Sequence, residues 1–229
     1  VKQIVILAGG LATRLYPITK TIPKSMVLIN NRPFLEHQLE LCKKNKITEI
    51  VLCVGHLWEQ IFDYFGDGKK FGVDIKYSVE SEKLDTGGAL KNALPYLEDE
   101  FFVMYGDSYL TTDWQQTFHH YQKMKNEGFM VVYENNWSIE PSRVLLNASN
   151  TKVVEYNKEN PRPEMRYMEY GLNILPKKLI KEVTEKIFPI SRYFDILIKR
   201  DQLSAYISTE RFHEIGSHDG LENLKNILK

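Results

Sequence analysis

Runs of apolar residues alternate with amphipathic stretches through the first half of the chain. Gln3 to Ala8 is apolar after its first residue, predicts a buried strand, and runs directly into Gly9-Gly10. Glu49 to Val54, Val73 to Ser78 and Phe101 to Tyr105 read as three more strands of this kind. Between them, Pro33 opens a helix with Leu35, Leu39 and Cys42 on one face. Trp58 to Phe65 is a short helix ended by Gly66-Asp67-Gly68, and Gly88 to Leu94 a helix stopped near Pro95. Strand and helix in strict alternation predict a parallel sheet covered on both faces, that is, a three-layer α/β/α architecture.

Beyond Asp107 the pattern changes. A helix from about Asp113 to Asn126 leads into a strand at Phe129 to Tyr133. Shorter and more polar strands follow near Arg143 to Leu146, Lys152 to Tyr156 and Glu169 to Ile174, with a polar loop from Asn157 to Arg166. Helices around Pro176 to Lys186 and Arg192 to Arg200, a strand near Leu203 to Ile207 and a helix from about Asp219 to Leu228 complete the reading. The later strands make the sheet mixed. No repeat or long linker appears, so residues 1–229 read as one domain, with lobes of about 1–112 and 113–229.

Charge narrows the partners. Lys plus Arg and Asp plus Glu are 30 each, a zero net charge that argues against a protein coating nucleic acid. Two cysteines, Cys42 and Cys53, are too few for a disulfide scaffold. No stretch approaches the ~20 apolar residues of a membrane span, and the chain enters a strand at once without a signal segment. A cytoplasmic enzyme is the expectation, and the sequence leaves a homo-oligomer open.

The chemistry concentrates after the first strand, in Leu7-Ala8-Gly9-Gly10-Leu11-Ala12-Thr13-Arg14-Leu15-Tyr16-Pro17 and Pro23-Lys24-Ser25. Two glycines there let backbone approach a ligand, and their N–H groups can form an anion-binding concavity. Thr13 adds a hydroxyl, Arg14 a planar fork suited to phosphate, and Lys24 a second cation. The spacing fits neither a Walker A loop nor the dinucleotide fingerprint. Gly106-Asp107 puts a carboxylate at a strand's carboxyl end, suited to Mg²⁺ or to capping a turn. Thr86-Gly87-Gly88 opens a helix and offers a second donor-rich turn. His119-His120 lack zinc-ligand spacing, and the Lys43-Lys44 and Lys69-Lys70 pairs read as solvated faces.

The long spaced pattern resembles the signature of the sugar-phosphate nucleotidyltransferase family, Gly-Gly-x-x-Thr-Arg-Leu-x-Pro followed by Pro-Lys, with Ser25 where the family has proline. Leu84-Asp85-Thr86-Gly87-Gly88-Ala89 and Gly106-Asp107 match further elements in order. The resemblance implies a Rossmann-like fold of the nucleotide-diphospho-sugar transferase type. It implies a nucleoside triphosphate at Leu7, Ala8, Gly9, Gly10, Thr13, Arg14, Lys24, Thr86, Gly87 and Gly88, with Arg14, Lys24 and Asp107 catalytic. It further implies a sugar 1-phosphate at Lys158, Tyr170 and Gly171, and Mg²⁺ on Asp107 and Glu214. Asn157 and Glu214 stand where the family has glutamate and aspartate. The expected reaction yields a nucleoside diphosphate sugar and pyrophosphate, for surface polysaccharide synthesis. GTP with heptose or mannose 1-phosphate is the preferred pair. A UTP-, CTP- or dTTP-dependent enzyme, or a catalytically weak regulatory subunit binding a sugar nucleotide, is the alternative.

Overall fold

The computed structural model describes residues 1–10 and 12–229; Leu11, within the loop motif, lies outside the described residues. Strand β1 (Gln3–Leu7) leads through three single 3₁₀ turns to a ribbon of β2 (Leu28–Ile29) and β3 (Arg32–Pro33). Then come α1 (Phe34–Lys44), β4 (Glu49–Val54), α2 (Trp58–Phe65), β5 (Asp74–Val79), α3 (Asp85–Asn92), β6 (Glu100–Tyr105) and β7 (Ser108–Tyr109). The second half holds α4 (Trp114–Met124), β8 (Gly128–Glu134), β9 (Val144–Leu146), β10 (Val153–Tyr156) and β11 (Tyr167–Pro176). It ends with α5 (Lys177–Glu182), α6 (Ser191–Lys199), β12 (Leu203–Ser208), β13 (His213–Glu214) and α7 (His218–Ile227).

One nine-stranded sheet runs β10-β9-β11-β6-β1-β4-β5, with β8 pairing β11 and β12. Strands β5, β4, β1 and β6 are parallel, and β11 joins β6 antiparallel, so the sheet crosses residue 112 without a break. Side chains alternate between its faces. Val5, Val51 and Val103 meet Leu90, Tyr193 and Phe194 on one face. Ile4, Ile6 and Leu52 meet Leu35, Leu39 and Trp114 on the other. Burial on both faces is why these strands read as continuous apolar runs.

The chain leaves β1 toward β4 on one side and returns to β6 on the other. That reversal leaves a crevice at the carboxyl ends of β1 and β6, where open α/β sheets bind ligands. A small third core, with Val27, Ile29 and Phe34 against Ile215, Leu221 and Leu224, docks α7 beside it. The sheet's far end therefore delivers residues 213–217 to the same crevice.

Three boundaries differ from the sequence reading. The helix expected from Gly88 begins at Asp85, and β11 is longer than the polar pattern suggested. The helix expected through Lys186 stops at Glu182. Lys91 Nζ takes the carbonyls of Thr184 and Glu185 at 2.8 and 2.9 Å, which holds that segment as an extended strap over α3. No helix among the described residues is long and apolar enough to cross a membrane.

Candidate active site

The first loop is shaped by the strand ends beneath it. Leu7 O accepts from Gly106 N at 2.9 Å, and Ala8 N donates to Cys53 O at 2.8 Å. Those two backbone groups are committed to the sheet, while Leu7 itself lines the larger of the two cavities described below. Gly10 does face open space, since a Cβ there would meet nothing within 4 Å. Ala12 is left-handed at φ 51°, and its carbonyl accepts from Leu15 N at 3.0 Å and Thr19 Oγ1 at 2.8 Å. The tight turn turns Thr13 and Arg14 outward, both exposed.

Ser25 is buried and its Oγ has no hydrogen-bond partner among the described residues. A buried hydroxyl without a partner costs about 1–3 kcal/mol. Ser25→Ala is therefore expected to raise the melting temperature by about 2–4 °C per kcal/mol recovered for a chain of this size. An unchanged or lower midpoint in a calorimetric scan contradicts that account of Ser25.

Lys24 and Asp107 form the centre. Lys24 Nζ donates to Asp107 Oδ2 at 2.9 Å, with both side chains partly open to solvent. Gly106 precedes the carboxylate because a Cβ there would lie 2.6 Å from Leu7 O and 2.8 Å from Ala8 Cα. Opposite, β13 pairs with β7 so that Glu214 stands across from Ser108, and Ile215 N donates to Asp107 O at 2.9 Å. Glu214 accepts from Ser217 Oγ at 2.7 Å and from Gly216 N. A Cβ on Gly216 would meet Glu214 Oε2 at 2.5 Å, Arg14 Nη2 at 3.0 Å and Asp107 Oδ2 at 3.3 Å. Residue 216 must be glycine for these three charged groups to converge.

This donor set fits Mg²⁺. No group of three or more His, Cys, Asp or Glu residues that could hold a metal occurs among the described residues. Two carboxylates with the rest of the shell left to water and phosphate suit an ion that dehydrates reluctantly.

Two cavities meet here. One of about 890 Å³ is lined by Gly9, Gly10, Thr13, Lys24, Glu80 and Thr86. The other, of about 540 Å³, is lined by Asp107, Arg143, Lys158, Gly171, Arg211 and Glu214. Arg14 lines both, and the Lys24–Asp107 pair bridges them.

Gly87 and Gly88 fall elsewhere. Their N–H groups donate to Phe188 O at 2.9 and 3.1 Å, and a Cβ on Gly87 would lie 2.5 Å from the Phe188 ring. These glycines admit the 183–190 strap, which takes the donors the sequence reading offered to a ligand. Thr86 stays at the cavity, and its Oγ1 accepts from Ile190 N at 2.8 Å. Tyr170 is a core residue whose hydroxyl accepts from Thr112 N at 3.2 Å; its part in the smaller cavity is a wall, and the hydroxyl is already engaged. Gly171, at φ +94°, makes the irregularity in β11, with Ser108 Oγ 3.3 Å from where a Cβ would be.

Sequence reasoning missed Glu80, Glu169, Arg143 and Arg211. Glu80 Oε2 accepts from Leu84 N at 3.1 Å, and burial, with Asp85 nearby, holds its pKa above the usual carboxylate range despite that bond. Glu169 accepts from Tyr105 and Tyr156 hydroxyls and the Asn173 amide. Burial foremost, then the Glu169 charge, drives the Tyr105 phenol's pKa upward, so it stays a donor.

Comparison with known proteins places this geometry. The family described as Nucleotidyl transferase matches residues 3–225. D-glycero-alpha-D-manno-heptose 1-phosphate guanylyltransferase of Campylobacter jejuni is 47% identical over 111 residues, covering 48% of this chain and 50% of that protein. Mannose-1-phosphate guanyltransferase of Gibberella zeae is 30% identical over 210 residues, 88% of this chain and 57% of that protein. The chain thus spans about half the length of these curated relatives. Among solved structures, HddC from Yersinia pseudotuberculosis complexed with GMP-PN superposes with a TM-score of 0.83 at 25% identity, covering 100% of both chains. With a match from strand β1 into helix α7, the chain belongs to the nucleotidyl transferase family.

Proposed function

We propose that this protein joins a nucleoside triphosphate, GTP, to a sugar 1-phosphate of the heptose or mannose kind, releasing pyrophosphate. One observation carries the reading: two cavities share Arg14 and meet at the Lys24–Asp107 pair. A phosphate oxygen of the acceptor, in the smaller cavity, attacks the α-phosphorus of the nucleotide in the larger. The new P–O bond forms as the bond to the β-phosphate breaks. The attacking oxygen is already deprotonated at neutral pH, so alignment and charge stabilisation do the catalytic work. Lys24 stabilises charge on the α-phosphate, Arg14 holds the departing pyrophosphate and Lys158 the sugar phosphate. Asp107 and Glu214 would hold Mg²⁺, which would supply charge neutralisation during the transfer.

Glu80 favours guanine. Its carboxylate lines the larger cavity, and guanine alone among the common bases presents a ring N–H beside an exocyclic NH₂. Two adjacent donors match a carboxylate's two acceptors. HddC was solved with GMP-PN, and the two relatives named above are called guanylyl- or guanyltransferases; since other relatives are named for uridylyl or thymidylyl transfer, Glu80 carries the choice.

The test is a matrix of GTP, UTP, CTP and dTTP against a panel of sugar 1-phosphates with Mg²⁺, read by pyrophosphate release. Turnover confined to GTP is expected. Turnover with another nucleotide overturns the base assignment, and nucleotide binding with silence across the matrix points to a binding subunit.

A further inference from the structure

The wall of the smaller cavity carries four cations, Arg14, Arg143, Lys158 and Arg211, against four carboxylates, Asp107, Glu140, Glu169 and Glu214, so what decides its ligand is which cations are already engaged. Arg14 is shared with the larger cavity, and Lys24 is bound to Asp107. Three cations remain on the wall: Lys158, Arg143 and Arg211. Among the described residues, Lys158 and Arg211 enter no ion pair; the Lys158 ammonium lies 5.7 Å from the centre of the Tyr156 ring. Arg143 makes one side-chain ion pair among the described residues, its Nη2 lying 3.2 Å from Glu140 Oε2, while its Nε is buried with no partner among them. A guanidinium N–H without an acceptor is unfavourable, and the Arg143 side chain, 32% exposed, can turn to present it to an anion in the cavity.

The anions on the same wall do not answer it. Glu169 already accepts from Tyr105 at 2.8 and 3.0 Å, Tyr156 at 2.9 Å and Asn173 at 2.7 Å. Glu214 is engaged by Ser217 and Gly216, and Asp107 by Lys24. Glu140, on the same wall and 45% exposed, engages Nη2 and leaves the Arg143 Nε free for an incoming anion. The backbone sets Arg143 beside Lys158, because Arg143 O accepts from Asn157 N at 2.9 Å. Arg211 enters from the loop between β12 and β13, where its carbonyl accepts from Thr111 Oγ1 at 3.4 Å. At about 540 Å³, the cavity has room for a sugar with two anionic groups.

We infer that the acceptor is a sugar 1-phosphate bearing a second anionic group, a carboxylate or a phosphate, received by the Arg143 guanidinium with Arg211 as a further cation. Lys158 then serves the 1-phosphate. The inference rests on the proposed nucleotidyl transfer and specifies its substrate class.

The test titrates the full chain calorimetrically with mannose 1-phosphate, mannose 1,6-bisphosphate and mannuronic acid 1-phosphate at fixed ionic strength. The last two separate phosphate from carboxylate. At least one acidic sugar should bind about tenfold more tightly than the neutral one, the scale of one charge-assisted hydrogen bond. Arg143→Gln should erase most of that ratio and Arg143→Lys keep part of it. Because the readout is a ratio within each variant, a partly unfolded sample does not imitate it. Equal affinities in the parent protein, or a ratio that survives Arg143→Gln, overturn the inference. Pyrophosphate release from mannose 1-phosphate and GTP in the same samples separates the two ideas: turnover without acidic preference removes this inference and leaves the reaction standing.

Discussion

Asp107→Asn is expected to lower kcat by about 10²–10³-fold or more, while leaving the fold and nucleotide affinity largely in place. The magnitude is that of removing one preorganised electrostatic element from a site where charge develops. Asparagine preserves the volume at the end of β6, and its Oδ1 can still accept from Lys24, which bonds to the aspartate at 2.9 Å. What it removes is the negative charge that faces Glu214 across the position held open by Gly216. Lys24→Ala should cost a similar factor from the opposite sign, with Asp107 left unpaired. Single-turnover rates at saturating nucleotide read both. Near-parental turnover in either variant removes that residue from the chemistry.

Glu80→Gln should shift the choice of base. Leu84 N holds one carboxylate oxygen at 3.1 Å, and the other is the atom closest to where a Cβ on Gly9 would be, at 2.5 Å. In the variant, Leu84 N selects the amide oxygen, and an NH₂ group takes the second place. A donor there opposes guanine's exocyclic NH₂ and suits a base whose ring N–H is flanked by carbonyls on both sides, as in uracil and thymine. Losing such a bidentate match is worth about 1–3 kcal/mol, or roughly 5- to 150-fold in the GTP-to-dTTP ratio of kcat/KM. An unchanged ratio places Glu80 outside base recognition.

Much of this site was legible because its parts are local. A buried strand ending in Gly9-Gly10 announces a close approach, and Asp107 follows an apolar strand with only Gly106 between. Gly87-Gly88 shows the limit of that logic. A helix start with two glycines looks the same whether a ligand or a crossing segment lies over it, and here Phe188 receives the donors. The strap escaped notice because its first residues read as more helix, and it is held extended by tertiary bonds: Lys91 to two of its carbonyls, and Gly87 and Gly88 to that of Phe188.

Glu80, Glu169 and Arg143 were not legible for a different reason. Each is an ordinary charged residue in a polar stretch, and only the tertiary fold gives it a cavity to face. Glu169 depends on Tyr105 and Tyr156 coming from two other strands. The orphaned Nε of Arg143 is a property of packing, with no sequence signal at all. Glu214 lies between these cases: its motif was visible, but its approach to Asp107 depends on β13 pairing with β7 and on the bare Gly216.

In this mechanism the bond between the α- and β-phosphates breaks where the two cavities meet. GTP labelled at the α-phosphorus, and separately at the γ-phosphorus, tests it directly with Mg²⁺ and the sugar 1-phosphate that the matrix identifies. The α-label is expected in a nucleoside diphosphate sugar and the γ-label wholly in pyrophosphate. Gamma-label in a sugar product, or released as free phosphate with no sugar nucleotide formed, contradicts it.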